Sequence, residues 1–194
     1  MTAVGVYFSY ILNYLRANLE SKAKTYDSTT LGIIFLLNNY HYVHKTLAAK
    51  SNNKLGDLVA KGTAASYGEC VANQHKVYLN RWNKVVKHID EGAKPVDLER
   101  LGKADKEAIK ERFRGFNSEF ESITAKHTAY SIPDPALREE VRKEVQALIM
   151  PLYGKFLDRY QNVQFTKVGI DKYLKYPKDT LDGIIVKLFD TSAV

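Results

Sequence analysis

Apolar positions recur along most of this chain at three- and four-residue steps, the spacing of one helix face, with polar residues between them. From Val4 to Leu19, the positions Val4, Phe8, Ile11, Leu12, Leu15 and Leu19 share a face. The next stretch, TYDSTTLGIIFLLNNYHYVHKTL, is apolar around much of its circumference, as a central helix is. Asp27 or Ser28 can accept an orphan backbone N–H at its start, and Ser51, Asn52 and Asn53 supply turn chemistry at its end. A further helical stretch from Leu55 to about Glu91 carries Leu58, Val59, Tyr67, Val71, Tyr78, Trp82, Val85 and Ile89. Gly62 and Gly68 weaken it, and Gly92 followed by Pro95 stops it.

The second half is patterned more sharply. Ile109, Phe113, Phe116, Phe120 and Ile123 alternate steps of four and three, an apolar seam of coiled-coil type. In SIPDPALREEVRKE, Asp134 caps a helix, Pro135 suits its first position, and Glu139 and Glu140 favour its positive end. That helix presents Leu137, Val141, Val145, Leu148, Leu152 and Phe156, with a kink expected near Pro151. A short segment spans Lys167 to Tyr176. Pro177 then opens a last helix whose Leu181, Ile184, Ile185, Leu188 and Phe189 face inward. Strand-like alternation and hairpin turns do not occur. The pattern predicts an all-α fold of antiparallel helices: a first helical segment over 1–91, a loop at 92–104, and a C-terminal helical segment over 105–194, sharing one continuous core.

Composition narrows the class. Hydrophobic content of 45% with 26% charged residues describes a globular chain, not a disordered one. No run is long enough to span a bilayer, and the polar-interrupted N-terminus reads as an amphipathic helix, not a signal peptide. Cys70 is the only cysteine, so no intrachain disulfide is possible, which fits a reducing compartment. The formal charge of +7 biases binding toward anionic partners without choosing among lipid, nucleic acid and acidic protein.

Catalytic and metal chemistry find little to stand on. His41 and His44 are three residues apart on a helix, but a metal site needs further ligands that HYVH does not bring. Cys70 lies mid-helix without an identifiable base, which suits a structural cysteine. Phosphate-binding glycine loops are absent. Asn38 and Asn39, within an apolar helix, need hydrogen-bond partners, and one of them is expected to reach a neighbouring element. No catalytic residue, metal site or cofactor is expected.

The basic residues say more. Near the C-terminus, DKYLKYPKD (171–179) carries Lys172, Lys175 and Lys178 with tyrosines between them, and Lys167 lies just before. Lys172 and Lys175, three apart, share a face if the segment is helical, and tyrosine suits a membrane interface. Between Lys103 and Lys126, Lys110, Arg112 and Arg114 are expected to pair partly with Glu107 and Glu111. Nucleic acid more often recruits arginine-rich stripes. Lysine-dominated, motif-free basicity leans toward a membrane surface.

Several strings resemble one family. SKAKTYDSTTLGIIFLLNNYHYVHKTL, IKERFRGFNSEFE, SIPDPALR, PLYGKF and FTKVGIDKYLKY…LFDTSA stand in the order and spacing of the C-terminal domain of the seventy-kilodalton subunit of the exocyst, the vesicle-tethering complex, most like its animal branch. The resemblance covers essentially the whole chain. It implies stacked antiparallel helical hairpins at the distal end of an elongated helical rod, in a piece of a longer protein. It implies no enzymatic activity. It further implies binding of phosphatidylinositol 4,5-bisphosphate, with the protein cytoplasmic and recruited peripherally to the inner plasma membrane at sites of secretion. Lys172 and Lys175 correspond to the family's principal lipid-contacting lysines, and Lys110 to a secondary contact. Lys178 and Lys167 join them here by charge geometry alone. Other exocyst subunits and a Rho-family GTPase are implied partners; a protein scaffold that docks them through the basic surface is the alternative reading. Where relatives often read Lys-Asn-Pro, in a region linked to the actin-nucleating complex, this chain has Lys167-Val168-Gly169, which weakens the case for that contact.

Overall fold

The computed structural model describes residues 2–49, 57–59, 62–90, 92 and 98–190. The described residues are helical wherever they are regular: α1 (Ala3–Ala23), α2 (Thr29–Ala48), α3 (Thr63–Leu79), α4 (Asn83–Ile89), α5 (Lys103–His127), α6 (Pro135–Tyr160) and α7 (Lys178–Ile185). Single 3-10 turns lie at Asn80–Trp82 and Ile170–Lys172. The turn residues Ser51, Asn52 and Asn53, residues 93–97 of the expected loop, and Thr191-Ser192-Ala193 lie outside the described residues. The helices cluster into two compact units, one of residues 1–81 with 132–137, the other of 82–131 with 138–194.

In the first unit, Ser28 caps α2, its Oγ accepting from the Leu31 N–H at 3.3 Å. The reversal between α1 and α2 closes on Gly32, where a Cβ would lie 2.7 Å from the Ala23 carbonyl oxygen. α3 opens at Gly62, whose φ of +97° suits glycine alone among common residues. Gly68 then admits the His44 ring, 3.0 Å from where a Cβ would stand. That ring donates from Nδ1 to the Ala64 carbonyl at 2.8 Å, tying α2 to α3. Leu12, Tyr40, Leu47, Val59 and Tyr67 form the core, and the Tyr67 hydroxyl donates to the Leu12 carbonyl at 2.7 Å.

α1 departs from its expected face. Leu12 is buried and Phe8 and Leu19 are half-buried, but Val4, Ile11 and Leu15 are exposed together with Tyr7, Tyr10 and Tyr14. Periodicity identifies an apolar stripe; it does not say how much of the stripe a neighbour covers. Asn39 donates back to the Phe35 carbonyl of its own helix at 2.7 Å.

In the second unit an aromatic ladder forms the core. Phe113 packs on Phe156 (ring centroids 4.6 Å apart), Phe116 on Tyr153 (4.6 Å), Phe165 on Phe113 (5.6 Å) and Trp82 on Phe120 (6.1 Å). Burial of each such side chain contributes about 1.5–3 kcal/mol. The α5 seam continues from Phe120 to Thr124 and His127, both buried, while Ile123 is half-buried. On α6, Asp134 caps as expected, its Oδ1 accepting from the Ala136 and Leu137 N–H groups at 3.0 Å each. The helix runs through Pro151 without a break. Past Val145 its buried stripe follows Ile149, Tyr153, Phe156 and Tyr160, with Leu148 and Leu152 half-buried. Tyr153 takes an interior place because its hydroxyl donates to the Tyr176 carbonyl, meeting the need of a buried polar tip.

After α7 the chain turns inward. Phe189 adopts φ +62°, uncommon for a bulky residue, and buries its ring against His127. Arg142 donates through Nε to the Leu188 carbonyl at 2.7 Å, fixing that turn.

Candidate functional site

The lysine-tyrosine segment is held as a loop, not a helix. Gly169, at φ +82°, swings the chain into the 3-10 turn Ile170–Lys172. Tyr173 is buried: its ring lies 5.8 Å from that of Phe165, and the Arg114 guanidinium sits 5.5 Å from its centre. Asn117 of α5 donates to the Tyr173 carbonyl at 2.8 Å. The half-buried Tyr176 ring packs against Phe120 at 5.1 Å. The tyrosines therefore anchor the loop to α5 and α6, Tyr173 buried and Tyr176 half-buried. Their inward commitment leaves the intervening lysines outside.

Those lysines are unequal. Lys172 is exposed and forms no ion pair among the described residues. Lys175 binds Glu121 of α5, Nζ to Oε2 at 2.7 Å, with 47% of its side chain still exposed. The hydrogen bond to Glu121 holds the Lys175 ammonium above its ordinary pKa. Lys178, at the start of α7, lies 3.4 Å from Asp158 of α6. Helical spacing is thus not what sets Lys172 and Lys175 apart from the tyrosines, since the 3-10 turn ends at Lys172.

Lys110 and Lys167 line a second feature, a cleft of about 600 Å³ between the first turns of α5 and residues 164–168. Lys110 is half-buried and bonds Glu107 at 3.0 Å. Glu107 also accepts from Arg114 at 3.1 Å, and these two cations hold its carboxyl below the usual carboxylate range. Arg114 bonds Glu111 as well. Arg112 donates to backbone carbonyls, from Nε to His88 at 3.0 Å and from Nη2 to Asp90 at 2.8 Å. It closes the end of α4, a role that i, i+4 charge counting could not reveal.

The two histidines of HYVH point to different partners. His44 serves the Ala64 carbonyl, and His41 Nε2 lies 3.5 Å from Asp134, which Lys45 also binds at 2.7 Å. Cys70 is half-buried beside the core of the first unit. No described helix is long and apolar enough to cross a membrane.

Residues 1–187 match the family formed by the C-terminal region of Exo70, a component of the exocyst complex. The chain belongs to this family. Among curated Exo70-type relatives, it is 36% identical over 192 residues to exocyst complex component 7 of Homo sapiens, covering 98% of this chain and 26% of the relative. It is 32% identical over 193 residues to exocyst complex component 7 of Drosophila melanogaster, covering 98% and 28%. Among solved structures, a chain from the structures of exocyst subunit Exo70p and the Exo84p C-terminal domains superposes with a TM-score of 0.65 at 25% identity, covering 81% of this chain and 28% of the other. S. cerevisiae Exo70 gives 0.64 at 25% identity, covering 79% and 27%. The chain spans about a quarter of the length of the Exo70-family relatives it matches. The all-helical architecture and the family expected from the five sequence motifs are both shown.

Proposed function

We propose that this chain is a non-enzymatic vesicle-tethering module of an exocyst, held peripherally at the inner plasma membrane by phosphatidylinositol 4,5-bisphosphate. The observation that carries the reading is Lys172: an exposed cation, with no ion pair among the described residues, on a loop whose neighbouring tyrosines are fixed inward. Lys175 is the second contact, its ammonium exchanging Glu121 for a lipid phosphate. Lys110, Lys178 and Lys167 add longer-range attraction. A lysine near an anionic leaflet contributes about 1 kcal/mol, so two of them account for roughly thirtyfold in affinity. Binding of that strength is short-lived for one copy and becomes holding force when several subunits of a complex engage one membrane.

Vesicle co-sedimentation tests this. Lys172→Ala combined with Lys175→Ala should remove most pelleting with bisphosphate-containing vesicles while leaving the helical circular dichroism signal intact. Undiminished pelleting would overturn the lysine assignment. Equal pelleting on phosphatidylserine at matched surface charge would overturn headgroup selection.

A second reading is favoured by one observation: Lys110, Lys175 and Lys178 already hold carboxylates, giving a mixed-charge surface of the kind found at protein interface rims. Here the surface docks acidic exocyst subunits or a Rho-family GTPase, and lipid is incidental. Retained partner binding in the double variant, with vesicle binding lost, would separate the two surfaces.

A further inference from the structure

The first unit holds a concavity of about 570 Å³, inside the roughly 300–1,000 Å³ range of ligand sites. Tyr42 and Lys45 of α2 line it together with Pro133, Asp134, Pro135 and Leu137, and its surface is more apolar than polar. Only the fold brings these residues together: Lys45 and Asp134 stand 89 residues apart in the chain and meet at 2.7 Å. Tyr42 is 72% exposed, and Pro133 and Pro135 are exposed on either side of Asp134 in sequence. A tyrosine offers a large apolar ring at small entropic cost, which is why aromatic side chains are enriched where proteins meet.

The polar groups of this lining are not equivalent. Both oxygens of Asp134 are engaged: Oδ1 accepts from the Ala136 and Leu137 N–H groups at 3.0 Å each, and Oδ2 accepts from Lys45, with His41 Nε2 3.5 Å away. The Thr46 hydroxyl donates to the Tyr42 carbonyl of its own helix at 2.8 Å. Pro133 and Pro135 have no N–H to give. Lys45 differs. Its side chain is 66% exposed, and an ammonium with three donors is bonded there to one carboxylate. The concavity thus offers an accessible cation next to apolar surface, while its carboxylate is occupied. The formal charge of the whole chain, +7, has the same sign.

We infer that this concavity docks a partner protein through a short acidic segment that carries an aromatic residue. The aromatic ring packs on Tyr42 and the two prolines, and a carboxylate beside it in the segment reaches Lys45. The ring supplies most of the affinity, because an exposed ion pair adds little by itself. Lys45 supplies the choice of sign: a basic segment meets a like charge there and an Asp134 carboxylate already bound on both oxygens. The inference stands apart from the membrane reading, whose lysines belong to the second unit.

The test is an NMR titration of the isotope-labelled whole chain with the tetrapeptide acetyl-Asp-Trp-Asp-Asp-amide, and with acetyl-Lys-Trp-Lys-Lys-amide as the reversed-charge control. The acidic peptide should give saturable shifts at the Tyr42, Lys45 and Leu137 amides, and the basic one should bind about fivefold more weakly or worse. Lys45→Met should weaken the acidic peptide about fivefold and narrow the gap between the two peptides. Tyr42→Ala should weaken both. Each variant should keep the parent's helical circular dichroism signal, since both side chains are exposed. Lys172→Gln with Lys175→Gln should stay within about twofold of the parent, because those lysines do not line the concavity. Absence of saturable shifts at these amides, equal affinity for the two peptides, or an affinity unchanged in Lys45→Met overturns the inference. Shifts at the same amides that grow with protein concentration and need no peptide would assign the concavity to a second copy of this chain, and overturn it likewise.

Discussion

Glu121 sets how much of the Lys175 charge reaches a ligand. The two side chains meet at 2.7 Å on an exposed surface, where such a pair contributes little to stability but does occupy the ammonium. Glu121→Gln removes the competing carboxylate and one negative charge while keeping the shape of the side chain. Bisphosphate-vesicle affinity should then rise about fivefold, the equivalent of one lysine's worth of leaflet attraction, about 1 kcal/mol. Unchanged affinity would show that Lys175 never needed release, or never touched lipid. Nothing in DKYLKYPKD announces this arrangement. Glu121 is 54 residues away and Asp158 is 20 residues away from the lysines they bind. Local charge counting finds the cations, but pairing across elements decides which of them are available.

Individual helices were legible to the degree that a single rule governed them. α5 alternates steps of four and three, and its Ile109, Phe113, Phe116 and Phe120 are all buried. α6 was readable at its start because capping is local chemistry. Its later register was not, because Leu148 and Ile149, and Leu152 and Tyr153, straddle the same face, and the choice fell to the residue whose hydroxyl found Tyr176. The cap supports a direct test. Asp134 accepts two backbone N–H groups, and Lys45 holds its carboxyl well below the usual carboxylate range. Asp134→Ala should cost about 1–2 kcal/mol in denaturant unfolding, whereas Asp134→Asn keeps an accepting oxygen and should cost well under 1 kcal/mol. Equal losses in the two variants would move the stabilisation from the cap to the exposed Lys45 pair.

At the scale of the whole molecule, acid should loosen the second unit before it disturbs the surface carboxylates. His127 is buried among the rings of Trp82, Tyr130 and Phe189, and burial, helped by the adjacent Lys126 charge, pushes its pKa down to about 4. An unfolded histidine titrates near 6.5, so between these values the unfolded chain binds the proton and the folded chain does not. The stability due to this group is complete above about pH 6.5, declines as the pH falls, and is gone by about pH 4, a total of about 3 kcal/mol. Asp134 and Glu107, both held below the usual carboxylate range, lose their contributions at lower pH, so the histidine window stands apart. Denaturant unfolding measured from about pH 7 down to about pH 4.5 should show this slope in the parent chain, and His127→Leu should make it shallower, leaving the share of His88, whose pKa burial also lowers. An identical slope in the variant would assign the acid sensitivity elsewhere. Because Phe189 reaches His127 through a left-handed turn that Arg142 fixes, protonation should also release the C-terminal turn, visible as faster amide exchange at Leu188 and Phe189 over the same pH range.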